Sequence, residues 1–199
     1  MKRKAIRLLI WVLLLICLVP AAAMARTLVV RWQAKNFLQD VMHIRVGESD
    51  LAELQTLASK YRGYAVQGSP RCDQDLCTFD FYFDNFWLGR IGLARGTRFG
   101  GGITALGGKI AQIELFVQSD TGCSTEVVES RGTPDSTAFK VGGIKRTTFG
   151  GVDYTITMTI HLTSAASEQE RQKAYNFNLA CLTALRGCND ARQMLPGAW

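Results

Sequence analysis

Six cysteines and two histidines are the side chains with the widest chemical reach in this 199-residue chain, and their spacing decides what they can do. Cys17 lies inside an apolar run, which leaves Cys72, Cys77, Cys123, Cys181 and Cys188 for the rest of the chain. Cys72 and Cys77 bracket the polar turn Asp73-Gln74-Asp75. Cys181 is expected on a helix, with Cys188 just past a stop at Gly187. In an oxidising compartment each local pair would staple a turn, with a modest effect because the loops are short. Spacing alone does not settle connectivity. Cys123 is then left over. It reads as a buried thiol, or as the nucleophile of a thiol-dependent enzyme with His161 as its base. No CxxC redox pair is present, and His43 and His161 lie too far from the cysteines for zinc-ligand spacing. No cofactor and no metal site are expected.

The glycine clusters invite a phosphate reading and fail it. Around Gly108-Lys109 the P-loop pattern lacks its first glycine, where Ile103 stands, and the residue after the lysine is Ile110. Gly100-Gly101-Gly102-Ile103-Thr104-Ala105 fits a relaxed dinucleotide fingerprint, but Gly107-Gly108 follow too soon for a helix to open. These are read as turn glycines. The GxSxG, HExxH and SxxK signatures are absent. Asp73, Asp75, Asp80 and Asp84 form an acidic patch without calcium-loop spacing, and read as solvated carboxylates. The region with the composition of an interface is Trp87, Arg90, Arg95 and Arg98, beside the aromatic run Phe79, Phe81, Tyr82, Phe83 and Phe86. The threonine-rich face of the last strand is a second candidate surface.

Residues 1–25 carry the addressing information. Lys2, Arg3, Lys4 and Arg7 precede the uncharged run LLIWVLLLICLVPAAAMA at 8–25. That run fits a cleaved signal peptide, with Pro20 breaking it and Ala23-Met24-Ala25 as the processing site. It also fits a short membrane span with the basic cluster inside. Val30, Ala34, Phe37, Leu38, Val41 and Met42 then recur at helical spacing, so the apolar segment can run straight into an amphipathic helix ending near His43. The anchor is preferred on that ground; the alternative is a secreted or periplasmic protein beginning after Ala25. Four of the +6 net charges belong to the N-terminal cluster, which leaves +2 for the remainder. That is too little for a nucleic-acid surface.

Residues 26–199 read as a single domain. Ser49 is an apparent N-cap for a helix over 50–62, with Leu51, Leu54, Leu57, Ala58 and Tyr61 as its stripe and Gly63 as its stop. Period-two alternation over 77–83 marks a half-buried strand, and 103–106 and 110–117 form a hairpin around Gly107-Gly108. A strand over 125–130 follows, then 138–148 pairing with 152–163 across Gly150-Gly151. In the last strand Val152, Tyr154, Ile156, Met158, Ile160 and Leu162 face the core, and the intervening threonines and His161 face water. Ser167 and Glu170 make a capping box for a helix carrying Ala174, Phe177, Cys181, Leu182 and Leu185. A short helix over 190–195 closes the domain. The order implies an α+β domain, an antiparallel sheet with helices packed on one face.

Val46-Gly47-Glu48-Ser49 before a leucine-rich helix, with strands leading to Gly108-Lys109-Ile110-Ala111-Gln112-Ile113, resembles small envelope-assembly proteins of the BamE/SmpA type. More broadly the chain resembles small membrane-anchored proteins of bacterial envelopes. The lipobox of the BamE type is missing, since Ile16 precedes Cys17, and the cysteine loop is extra. The resemblance implies an envelope protein and transfers no residue roles. The expectation is a non-enzymatic tethered domain outside the cytoplasm that binds a protein or cell-wall partner. A small-ligand module with an apolar pocket between sheet and helices is the alternative.

Overall fold

The structure, a computed structural model, describes residues 2–120, 123–132, 139–142, 145–149, 152–188 and 190–198. The apolar run and the amphipathic stretch are one helix, α1 (Lys2–His43). Contrary to the expectation of a break, Pro20 lies inside it. A proline removes one backbone donor there, and long helical stretches on both sides outweigh that loss. The first half of α1 stands bare: only 6% of its most apolar 18-residue window is buried, so it is not a core helix. The second half is core, with Ala34, Phe37, Leu38 and Val41 buried.

Helix α2 (Leu51–Lys60) begins with the first leucine of its stripe, one residue after the expected start at 50, and its N-cap is Asp50 rather than Ser49. The Asp50 carboxylate accepts from the Glu53 amide at 3.0 Å. Ser49 is used elsewhere: its hydroxyl accepts from the Arg45 amide and tightens the turn after α1. The helix ends at Tyr61, before Gly63, and a 3-10 turn over Arg62–Tyr64 carries the chain on.

Among the described residues eight strands follow: β1 (Arg71–Asp73), β2 (Leu76–Asp84), β3 (Thr97–Leu106), β4 (Lys109–Ser119), β5 (Cys123–Ser130), β6 (Phe139–Gly142), β7 (Lys145–Phe149) and β8 (Val152–Thr163). They form one sheet in the order β1-β2-β3-β4-β5-β8-β6, with β7 also on β8. Strands β6 and β7 lie end to end along β8 in one register, as the single 138–148 strand would. The Gly150-Gly151 turn expected between β7 and β8 lies outside the described residues. All pairings are antiparallel except β5 with β8, which run parallel. Turn chemistry joins neighbours in sequence; burial joined these two, since Val127 and Ile160 are both fully buried and sit opposite each other. Inserting the long, apolar β8 beside β5 leaves the short, charged Lys145-Arg146 strand on the rim, where an edge strand is best polar.

The helices cover one face of this sheet. Phe37 of α1 is the centre of the core, with ring centroids at 5.2 Å from Tyr61, 5.0 Å from Phe81, 5.1 Å from Phe83 and 6.2 Å from Phe99. The capping box forms as expected and opens α4 (Glu168–Ala174). That helix stops at Tyr175, so Phe177, Cys181, Leu182 and Leu185 do not share its face; Cys181 and Leu182 sit in a 3-10 turn over Leu179–Leu182, and Leu185 is exposed. Two short helices complete the chain's packing, α3 (Phe86–Arg90) between β2 and β3 and α5 (Ala191–Met194) near the C terminus.

The triple glycine is neither a turn nor a nucleotide loop. Gly100, Gly101 and Gly102 lie in the middle of β3. A Cβ on Gly100 would stand 2.7 Å from Phe116 Cζ and 2.8 Å from Tyr82 Cδ1, and one on Gly101 would overlap Leu115 Cδ2. The missing side chains let rings from β2 and β4 close over the strand on one face and Leu115 on the other.

Candidate functional site

Strands β2, β3 and β4 end together beside α3, and their ends bound a cleft of about 530 Å³. Its walls include Asp84, Arg90, Arg98, Gln118 and Asp120. Two of the four interface candidates therefore line one cavity. The other two lie beside it. Arg95 is held by its backbone, its carbonyl accepting from Asn85 Nδ2 at 2.9 Å and its amide donating to Leu185. Trp87 is exposed on α3, with the Arg26 guanidinium of α1 5.4 Å from its ring centroid.

Asn85 organises this end of the sheet. It is buried, its amide nitrogen donates to Arg95 and its side-chain oxygen accepts from the Thr97 amide at 2.8 Å. It thereby closes the loop that carries α3 back onto β3. Asp120 ties in the other side, accepting from the Gly96 amide at 2.6 Å. Arg98 lies 3.8 Å from Asp84 and 4.7 Å from the Tyr82 ring, with its Nε buried and unpartnered. Thr97 Oγ1 is likewise buried without a partner. The cleft thus presents both signs of charge, which suits a polar, charge-bearing segment more than an apolar ligand. Burial pushes the Tyr82 hydroxyl up to about 12, so this ring remains neutral beside the arginine.

The cysteines pair as their spacing suggests: Cys72 with Cys77 and Cys181 with Cys188 are disulfides. Cys123 is outside both disulfides, half-buried and packed against the core. The structure does not bring it to His161. Cys123 sits opposite Thr155 on β8 and His161 opposite Val128 on β5, which puts about 17 Å of strand between them. Alternation also sends them to opposite faces, since Cys123 shares the face of buried Val127 while His161 is exposed. The acidic residues near the first disulfide are partly engaged: Asp80 forms an ion pair with Arg71 at 2.7 Å. On the outer face of β8, Thr159 is buried and lies 3.4 Å from Glu126, and Thr163 is buried too, so that face is less wet than alternation alone suggests. Between α1 and the sheet, where an apolar pocket was the alternative expectation, lies the Phe37 ring cluster.

One constellation has no forerunner in the sequence reading. Arg171 of α4 is buried and donates to Glu129 of β5 at 3.1 Å, to Met42 O at 2.9 Å and to Ile44 O at 2.8 Å. Tyr175 donates to the same Glu129 oxygen at 2.5 Å. The guanidinium satisfies carbonyls at the C-terminal end of α1, where a cation is favoured by the helix dipole. Arg171 and Tyr175 stand four apart after a capping box, so their shared face was visible; the depth of that face was not.

No protein-family model, no curated protein and no solved structure matches this chain.

Proposed function

We propose that the protein is a membrane-tethered, non-catalytic domain facing outside the cytoplasm, which binds an envelope protein through the cleft at the ends of β2, β3 and β4. The observation that carries the tether is the continuity of α1, which runs from the apolar segment into the core with no linker. Ala23 and Thr27 flank the potential processing point and are 8% and 2% exposed, so cleavage after Ala25 would require prising open packed helix. That supports a retained anchor with the basic cluster inside over a removed signal. The two disulfides support an oxidising compartment for the domain. The mixed charge of Asp84, Arg90, Arg98 and Asp120 supports recognition of a polar protein surface.

The test is intact mass on membrane and soluble fractions after thiol alkylation, with and without reduction. A full-length chain in the membrane, with four thiols hidden until reduction, is expected. A soluble product starting at Arg26 would end the anchor reading. For the cleft, a photo-crosslinking residue at Gln118 should capture a defined envelope protein, and Arg98→Glu should abolish the capture. Equal capture from a crosslinker at Leu106, at the opposite ends of the same strands, would overturn it.

A further inference from the structure

The end of the domain nearest the apolar half of α1 carries an exposed apolar rim. Trp87, Ile91 and Leu93, on α3 and the turn after it, are 44%, 37% and 41% exposed. Leu185 stands 56% exposed on a neighbouring loop, joined to the first by the hydrogen bond from Arg95 N to Leu185 O. Helix α3 packs on α1. The depth of that packing can be read on α1 itself, where Ala23 and Thr27 are buried and Arg26 lies over Trp87. These positions are the outer end of the apolar run 8–25, whose length is about 27 Å as helix. The rim therefore stands at the level where a bilayer crossed by α1 would end. On α1, Leu28, Val29 and Trp32 continue the exposed apolar surface past Arg26.

Asp84, 3.8 Å from Arg98, and Asp120, held by the Gly96 amide, are the acids at this end, and the segment that carries the rim is itself basic. Residues 86–98 contain Arg90, Arg95 and Arg98 and no acid, and Arg186 follows Leu185. Tryptophan, aliphatic side chains and arginine at one level are the composition that suits the boundary between phosphate headgroups and acyl chains. Resting on the anchor reading, we propose that this rim is a second membrane contact: Trp87, Ile91, Leu93 and Leu185 enter the headgroup layer of the bilayer that α1 crosses, with Arg95 and Arg186 on lipid phosphates. The domain then stands end-on, with the Gly107-Gly108 hairpin pointing away. Strand β3 runs about 30 Å from the rim to that hairpin, so the two ends differ strongly in depth.

The experiment uses the full chain in phosphatidylcholine and phosphatidylglycerol vesicles containing lipids brominated at a shallow or a deep acyl position. Three single-tryptophan chains are compared, retaining Trp11, retaining Trp87, or carrying Leu106→Trp, with the other tryptophans changed to Phe. Trp11, Trp32 and Trp87 are all well exposed, so changing these three removes no core packing, and the fourth, Trp199, is changed alike in all three chains. The expected result is loss of Trp11 emission to deep bromines, loss of at least about half of Trp87 emission to shallow bromines, and none at position 106, given rim insertion of roughly 5–10 Å. Quenching at Trp11 with none at Trp87 would overturn the rim while leaving the anchor standing. Equal quenching at Trp87 and position 106 would overturn the end-on placement. Absence of quenching at Trp11 would remove the anchor and the rim together.

Discussion

Glu129 sits almost without water, held by Arg171 and by the Tyr175 hydroxyl, and the worth of each partner depends on the others. Removing one member of a buried ion pair leaves an uncompensated charge, which costs about 3–5 kcal/mol. Glu129→Ala should lower stability by that amount in urea titrations. The loss from Arg171→Met should be as large, because Met42 O and Ile44 O lose their donor as well. A change under about 1 kcal/mol in either variant would mean that water enters and screens the pair. The tyrosines bear on pH. Burial raises the hydroxyl pKa of Tyr61, Tyr64, Tyr82 and Tyr175, with Tyr82 pushed up to about 12. The folded state therefore holds these protons after the unfolded chain releases them near pH 10. Stability from this source is whole below about pH 10 and falls as pH rises toward about 12. Denaturant midpoints should drop steadily above about pH 10, and a flat profile there would contradict the burial of these rings.

At the scale of elements, helix starts and strand interiors hold the informative cases. Ser49 and Asp50 are both good caps by type, and the choice between them is made by the bond from Arg45 N to Ser49. Asp50→Ala should cost about 1 kcal/mol, while Glu53 and the leucine stripe stay in place. Strand β3 is built to be crossed by its neighbours' side chains. Gly101→Val should therefore cost about 1–3 kcal/mol through overpacking against Leu115. The same substitution at Gly107, which has open space around it but φ of +59°, should be unfavourable for backbone conformation alone. The Cys181–Cys188 disulfide closes a short loop, and replacing both cysteines with alanine should lower stability by about 2 kcal/mol, read against the native chain without reductant.

For the whole molecule, α1 is bare in its first half and core in its second. A chain beginning at Arg26 keeps Ala34, Phe37, Leu38 and Val41 and should fold; one beginning at Ile44 loses the ring at the centre of the core and should not, as circular dichroism and thiol protection would report. Much of this architecture was legible beforehand. The apolar run, the leucine stripe of α2, the alternation of β2, the Ser167–Glu170 box and both cysteine pairs are local signals, in which neighbours in sequence are neighbours in space. The α+β class followed from their order. The cleft was half legible: Trp87, Arg90, Arg95 and Arg98 share a stretch of chain with the composition of an interface, but Asp84, Gln118 and Asp120 join them only because β2, β3 and β4 end at one level. Other features depended on distance along the chain. The parallel pairing of β5 with β8, the separation of Cys123 from His161, the premature end of α4 and the Arg171–Glu129–Tyr175 cluster all follow from which surfaces found burial together. Periodicity and spacing report the free energy of a segment with itself, and so they determined compartment signals, elements and local disulfides. Which polar groups are buried, and which are brought face to face, is a property of the packed whole, and only the tertiary structure decided it.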